Sequence, residues 1–145
     1  MKSRTKARSV ALQVLYEVDL TGHLPGNVLD ERLEDDPLES NLAEFTSQIV
    51  FGVFPITVKL DDFIAQHAPE WPLDQVATID RNILRIALWE IALGDQTPMK
   101  VAINEAVELG KLFGSDSTPR FVNGVLGSLA DHQDEILQAF KTKSE

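Results

Sequence analysis

The sequence predicts an all-α protein, and three observations predict it. Apolar residues recur at three- and four-residue intervals along most of the chain, no alternation of strand-like with helix-like segments supports a parallel sheet, and no repeat of fixed period is present. At 145 residues, 43% of them hydrophobic, one globular domain with a modest core is expected. The seven prolines and eight glycines are scattered, so no linker separates two independent domains, although two subdomains sharing a core fit the same pattern.

The first helix is the clearest element. Ala7, Val10, Ala11, Val14, Leu15 and Val18 form the stripe of an amphipathic helix, and Gly22, Pro25 and Gly26 punctuate its end. Arg4 and Arg8 lie one turn apart beside the stripe. Arg8, Leu12 and Tyr16 continue along one edge at four-residue spacing, so arginine and tyrosine share a flank. From Asp30 to Glu39 the chain is acidic and reads as solvated surface, with Asp35, Asp36 and Pro37 forming a loop after a short helix.

Leu42, Phe45, Ile49, Val53, Ile56, Leu60 and Phe63 predict a helix or helix pair over about residues 40–67, kinked or broken at Pro55. The β-branched and aromatic run Ile49–Val58 offers a short strand as the competing reading; the longer periodicity favours helix. After Pro69 and Pro72, Asp74 or Thr78 is positioned to cap a helix reaching about Leu93. Apolar residues cover almost its whole circumference, which marks it as the central helix. A further helix spans about Val101–Phe113, with Ala102, Ala106, Leu109 and Phe113 on one stripe and Gly114 as its stop. A last pair covers about Pro119–Leu129 and Asp131–Phe140.

Net charge is −10, which taken alone argues against a nucleic-acid partner. The distribution is uneven. Residues 1–16 hold Lys2, Arg4, Lys6 and Arg8 and no acid, leaving nine basic against 23 acidic residues elsewhere. A basic arm on an acidic body can bind a polyanion locally while the body discourages indiscriminate coating and suits a basic protein partner. The same arm also reads as a merely solubilising terminus.

Catalytic chemistry finds little support. The absence of cysteine removes disulfides, thiolate metal sites and thiol nucleophiles, and is compatible with a reducing, cytoplasmic setting. No signal peptide and no membrane-length apolar run is apparent. His23, His67 and His132 are isolated in sequence, without metal-ligand spacing, and read as surface or capping residues. Asp61–Asp62 and Asp35–Asp36 read as solvated charge rather than acid/base couples. Phosphate loops and a serine elbow are missing, and the glycines of Gly124–Gly127 read as aids to close helix packing. No metal and no cofactor is expected.

Binding remains. Thr118–Gly124 brings Arg120, Phe121 and Asn123 to a helix start, where free backbone N–H groups can meet phosphate. Phe121 also continues the face of Val122, Val125, Leu126 and Leu129, so its spacing alone favours core. Tyr16 lies off the main stripe and fits either an exposed ring or a subdomain contact.

Three stretches carry a resemblance. Arg4–Tyr16 (RTKARSVALQVLY), Ile79–Ile91 (IDRNILRIALWEI), and Val101–Gly114 (VAINEAVELGKLFG) followed by Phe121–Leu126 (FVNGVL) are, in this order, similar to the bacterial antitermination factors of the NusB family. The resemblance implies two small helical bundles, over about residues 1–70 and 71–145 of a single NusB-like domain. It further implies contact with single-stranded boxA RNA of ribosomal-RNA leader transcripts, pairing with the ribosomal protein NusE, and indirect action on transcribing RNA polymerase. Carried residue by residue, it makes Arg4, Lys6, Arg8 and Tyr16, with Arg120 and Phe121, the expected RNA-binding residues, and Asp74 and Asp80 the expected contacts for the protein partner. With it, Tyr16 and Phe121 become expected stacking groups, because single-stranded RNA is held by aromatic stacking and cationic backbone contacts. Lysine at position 6 departs from a denser arginine run, which removes a bidentate fork. Monomer and homodimer both fit.

Arg81 and Arg85, one turn apart on the central helix, are expected to pair with acids such as Glu90 or Glu105 and to hold the bundle together, Arg85 above all. Two other classes of function compete with the RNA adaptor. One is a helical interaction module that binds no RNA. The other is an RNA-modifying enzyme, since NusB-like domains also occur in ribosomal-RNA cytosine methyltransferases; a chain of this length without cysteine is not expected to be one.

Overall fold

The computed structural model describes residues 1–70, 72–94 and 97–141, and no strand occurs among them. Two compact units are present, Met1–Ile56 and Thr57–Glu145. The division therefore falls earlier than the expected one near residue 70, because the helix after Pro55 packs on helices of the second unit.

The first unit contains α1 (Ser3–Thr21), α2 (Pro25–Asp35) and α3 (Ser40–Val53). Both α2 and α3 pack on α1. Gly22 ends α1 in the left-handed region at φ 77°, where its N–H reaches the Val18 carbonyl at 2.8 Å. Pro25 opens α2 at a position whose missing N–H costs nothing. The α1 stripe is buried from Ala7 to Leu15 and half-buried at Val18, but Thr5, Arg8, Ser9 and Leu12 are buried too, so the helix is enclosed on more sides than its periodicity indicates. The buried Thr46 hydroxyl of α3 donates to the Ala7 carbonyl at 2.9 Å, fixing the register of α3 on α1. No strand forms around Pro55; α3 passes into a 3-10 turn at Phe54–Ile56.

The second unit contains α4 (Thr57–His67), a 3-10 turn (Leu73–Gln75), α5 (Thr78–Leu93), α6 (Met99–Phe113), α7 (Thr118–Ala130) and α8 (Gln133–Lys141). As expected, α5 is the hub: α4, α6, α7 and α8 all pack on it, and Ile83, Leu84, Ile86, Ala87 and Leu88 are buried. Its N-cap is Ala77, without a side-chain hydrogen bond; Thr78 is the first helical residue and Asp74 lies in the preceding turn, so neither expected cap is used.

Arg85 bridges α5 to α4. Its Nε and Nη2 reach the two Asp61 carboxylate oxygens at 2.8 and 2.7 Å, and Nη1 reaches Asn82 Oδ1 at 3.2 Å. The structural role expected of Arg85 is present, with Asp61 as the forked partner. Asp61 is thus not the solvated charge its sequence suggests.

The pairing of α6 with α7 is the tightest in this unit. A Cβ at Gly110 would lie 3.1 Å from Thr118 Cγ2, and one at Gly114 would lie 2.5 Å from Thr118 Cβ and Cγ2. Close approach therefore depends on Gly110 and Gly114. Gly127, expected to serve that purpose, faces open space, and Phe113 leaves the α6 stripe to lie exposed.

Candidate nucleic-acid interface

In the first unit the basic residues of α1 are arranged around one aromatic ring. The Arg4 guanidinium lies 3.8 Å from the Phe45 ring centroid and that of Arg8 lies 5.1 Å from it. The Phe45 ring thus gives both guanidinium groups a cation–π contact. Arg4 is exposed, whereas Arg8 is only 3% exposed. Arg8 was expected on the RNA surface; burial against Phe45 takes its guanidinium away from solvent, and with it from direct reach of a phosphate chain.

Lys6 projects toward solvent and is paired with Asp36 at 2.7 Å, both side chains well exposed. An exposed pair of this kind contributes little stability and exchanges partners easily. Tyr16 is 37% exposed, so its ring is open on the outer flank of α1. The start of α1 has neither a side-chain cap nor an acid in its first turn, so the positive end of the helix dipole adds to the arm's charge.

In the second unit a cleft of about 470 Å³ is lined by Glu70, Val76, Asp80, Ser117 and Phe121 among others. Phe121 is half-buried along it, while the neighbouring Arg120 is exposed. Val122, Val125, Leu126 and Leu129 complete the buried face of α7, so Phe121 sits at the edge of the core rather than in it. Of the donors at the start of α7, the Thr118 N–H already meets the Ser115 carbonyl at 3.1 Å and Pro119 has none. The helix start therefore offers less to an anion than the sequence suggests.

The two acids expected to meet a protein partner differ. Asp74 is exposed. Asp80 is 9% exposed and accepts a 2.9 Å hydrogen bond from the buried Thr118 hydroxyl. Burial pushes the Asp80 carboxyl above the ordinary aspartate value, and the Thr118 hydroxyl draws it part of the way back. Its hydrogen bond to Thr118 is internal and ties α5 to α7.

Phe45 follows Leu42 in a regular α3 stripe and reads from sequence as core, so its contact with Arg4 and Arg8 is not foreseen there. The one available signal was its position among residues able to face the flank of α1 that carries Arg4 and Arg8.

A family model described as the NusB family matches residues 5–131. The transcription antitermination protein NusB of Chloroflexus aggregans is 48% identical over 128 residues, covering 87% of this chain and 85% of that protein. The protein of the same description from Dehalococcoides mccartyi is 47% identical over 128 residues, covering 88% and 90%. Among solved structures, T. maritima NusB superposes with a TM-score of 0.79 at 26% identity, covering 93% of this chain and 90% of that one. A chain in the crystal structure of antitermination factors NusB and NusE in complex with dsRNA gives a TM-score of 0.79 at 26% identity, covering 97% and 99%.

Proposed function

The chain belongs to the NusB family, and from that premise we propose that it is a transcription antitermination factor that binds boxA-type RNA of ribosomal-RNA leader transcripts together with NusE. The observation that carries this reading is the end-to-end likeness to a chain of the NusB–NusE–dsRNA complex. Its place of action is the cytoplasm, where transcription runs, and no helix among the described residues is long and apolar enough to cross a membrane. The role is one of binding, with no catalytic step assigned to any residue.

In the first unit Arg4 and Lys6 supply the phosphate contacts and Tyr16 a stacking face, while Arg8 holds Phe45 and so positions Arg4. The Arg4 guanidinium rests against the Phe45 ring while the residue stays exposed, so its N–H groups can reach phosphate oxygens. In the second unit Arg120 and the exposed edge of Phe121 supply a cation and a second stacking group. Asp74 offers an outward carboxylate to NusE, with Asp80 stiffening the start of α5 behind it. A basic partner would also offset the acidic body, which repels phosphate.

The test is a titration of fluorescent boxA-containing RNA and a scrambled control across a salt series, with and without NusE. Sequence-preferring affinity that NusE strengthens, that salt weakens and that Arg4→Ala and Tyr16→Ala each reduce is the expected result. Equal, weak binding to both RNAs in every condition would overturn it and leave a helical interaction module.

A further inference from the structure

The second unit brings His67 to a pair of side chains, His132 and Glu135, that lie far from it in sequence. His67 ends α4, His132 lies in the turn between α7 and α8, and Glu135 lies in the first turn of α8. His67 Nε2 is 2.7 Å from one Glu135 carboxylate oxygen, and His132 Nδ1 is 3.1 Å from the other. One ligand atom from each residue falls within 4.8 Å of the others. We propose that His67, His132 and Glu135 form a binding site for a divalent d-block cation, with zinc as the fitting member.

The hydrogen-bond inventory of His67 points the same way. Its Nδ1 lies 3.1 Å from the Phe63 carbonyl oxygen, which can only accept, so Nδ1 carries the hydrogen and donates. Its other ring nitrogen, Nε2, then faces a Glu135 carboxylate oxygen 2.7 Å away. The nitrogen and the carboxylate oxygen are close enough to share one cation between them. A backbone carbonyl receiving the far N–H is also the outer-shell partner that orients a metal-bound histidine.

Position and ligand set support a metal over a simple polar cluster. The His67 ring is held by stacking on Phe63, with centroids 4.1 Å apart and planes 19° from parallel, and its side chain is 10% exposed. One ligand is thereby fixed. His132 and Glu135 are more exposed and free to adjust. Tetrahedral zinc, with bonds of about 2.1 Å, sets its ligand atoms about 3.4 Å apart. The two carboxylate contacts need only open slightly, and the two rings, with centroids 4.8 Å apart, need only turn toward each other. Two imidazoles and one carboxylate suit zinc and its d-block neighbours and do not suit magnesium. The net charge of −10 favours a cation. A bound ion would tie the end of α4 to the start of α8 across most of the unit's sequence, a structural clasp that is independent of RNA binding.

The test uses the full chain, expressed without a polyhistidine tag and stripped with chelator, titrated calorimetrically with zinc and separately with magnesium. Expected are one zinc per chain, no magnesium signal, and a Tm rise of about 5–10 °C at a hundredfold excess over the dissociation constant. His132→Ala and Glu135→Gln, both at exposed positions and retaining helical circular dichroism, are each expected to weaken zinc at least about tenfold. His23→Ala, which removes a histidine of the first unit, should leave binding unchanged. Cobalt should give the intense visible bands of a four-coordinate ion in the wild type and His23→Ala, and in neither ligand variant. Absence of stoichiometric zinc binding, or zinc binding of equal strength in both variants, would overturn the proposal.

Discussion

Replacing Thr118 by valine tests how the cleft of the second unit is held. The substitution conserves shape and removes one oxygen. That oxygen donates to buried Asp80 at 2.9 Å and accepts the Ser115 N–H at 3.0 Å. A hydrogen bond to a charged group contributes about 1.5–3 kcal/mol, and the partly buried Ser115 N–H can recover some of its loss from water, so a net cost of about 2 kcal/mol is expected. For a chain of this size that lowers Tm by about 4–8 °C. The pH dependence is the sharper test. Burial already raises the folded-state pKa of Asp80 above the ordinary 3.8, so between the two values the native state holds more of its proton than the unfolded state and stability falls as pH rises. Removing the hydroxyl that lowers the pKa widens this window upward. The cost of Thr118→Val should therefore be greatest near neutral pH and shrink toward pH 4, and Asp80→Asn in the same background should abolish that pH dependence. Thermal unfolding followed by circular dichroism at several pH values measures both. A Tm loss below about 2 °C, or one equal at pH 4 and pH 7, would refute the assignment of Thr118 as the donor that draws the Asp80 pKa down.

Three further predictions follow from the packing and the arm. Gly114→Ala should cost about 1–3 kcal/mol in chemical denaturation, because the new methyl group meets buried Thr118, whereas Gly127→Ala, facing open space inside α7, should stabilise by about 0.5–1 kcal/mol. Asp61→Ala removes two hydrogen bonds from the Arg85 guanidinium, whose side chain is 9% exposed, and should cost about 2–3 kcal/mol by the same measurement. Arg4→Ala should leave Tm within about 2 °C of wild type and flatten the salt dependence of RNA affinity by about 0.7 in log–log slope, while Arg8→Ala should lower Tm by more than that. An Arg8→Ala chain of wild-type stability would show that the buried guanidinium holds nothing.

Helices were legible because burial follows a 3.6-residue period, and the break at Pro55 because proline lacks a donor. What periodicity does not report is how many neighbours a helix has. Arg8 and Leu12 sit beside the α1 stripe in sequence, yet both are buried because α1 is enclosed beyond that stripe. Partners distant in sequence were equally hidden. Arg85 takes Asp61, 24 residues away, and the His67–Glu135 contact spans 68. The close-packing glycines, Gly110 and Gly114, differ from their open neighbour Gly127 only in what lies opposite, which here is Thr118. Of the site residues, the basic arm could be read from the chain, whereas the exposure of Tyr16 was left open by its spacing and the edge position of Phe121 ran against it; the burial of Arg8 and Asp80 could not be read, since both are charged residues whose partners lie on other helices.

The arm's arrangement explains how an acidic protein can hold RNA at one place. A disordered basic tail would bring the same charges but lose their freedom on binding. Here Arg4 is already ordered, within the first turn of α1 and over Phe45, so less rotamer entropy remains to be lost when a phosphate arrives. Buried Arg8 supports the ring on which Arg4 rests, and Phe45→Leu would remove that support without changing any charge. Lys6 differs: its bond to Asp36 must open before it meets a phosphate. Because that pair is exposed, opening it costs at most about 1 kcal/mol, and it frees an acid beside the RNA that repels the strand. The two cations are therefore unequal. At low salt Arg4→Ala should weaken RNA binding more than Lys6→Ala does, and Asp36→Asn should strengthen it. A larger loss with Lys6→Ala, or no gain with Asp36→Asn, would mean that order in the free protein does not decide which arm residue binds.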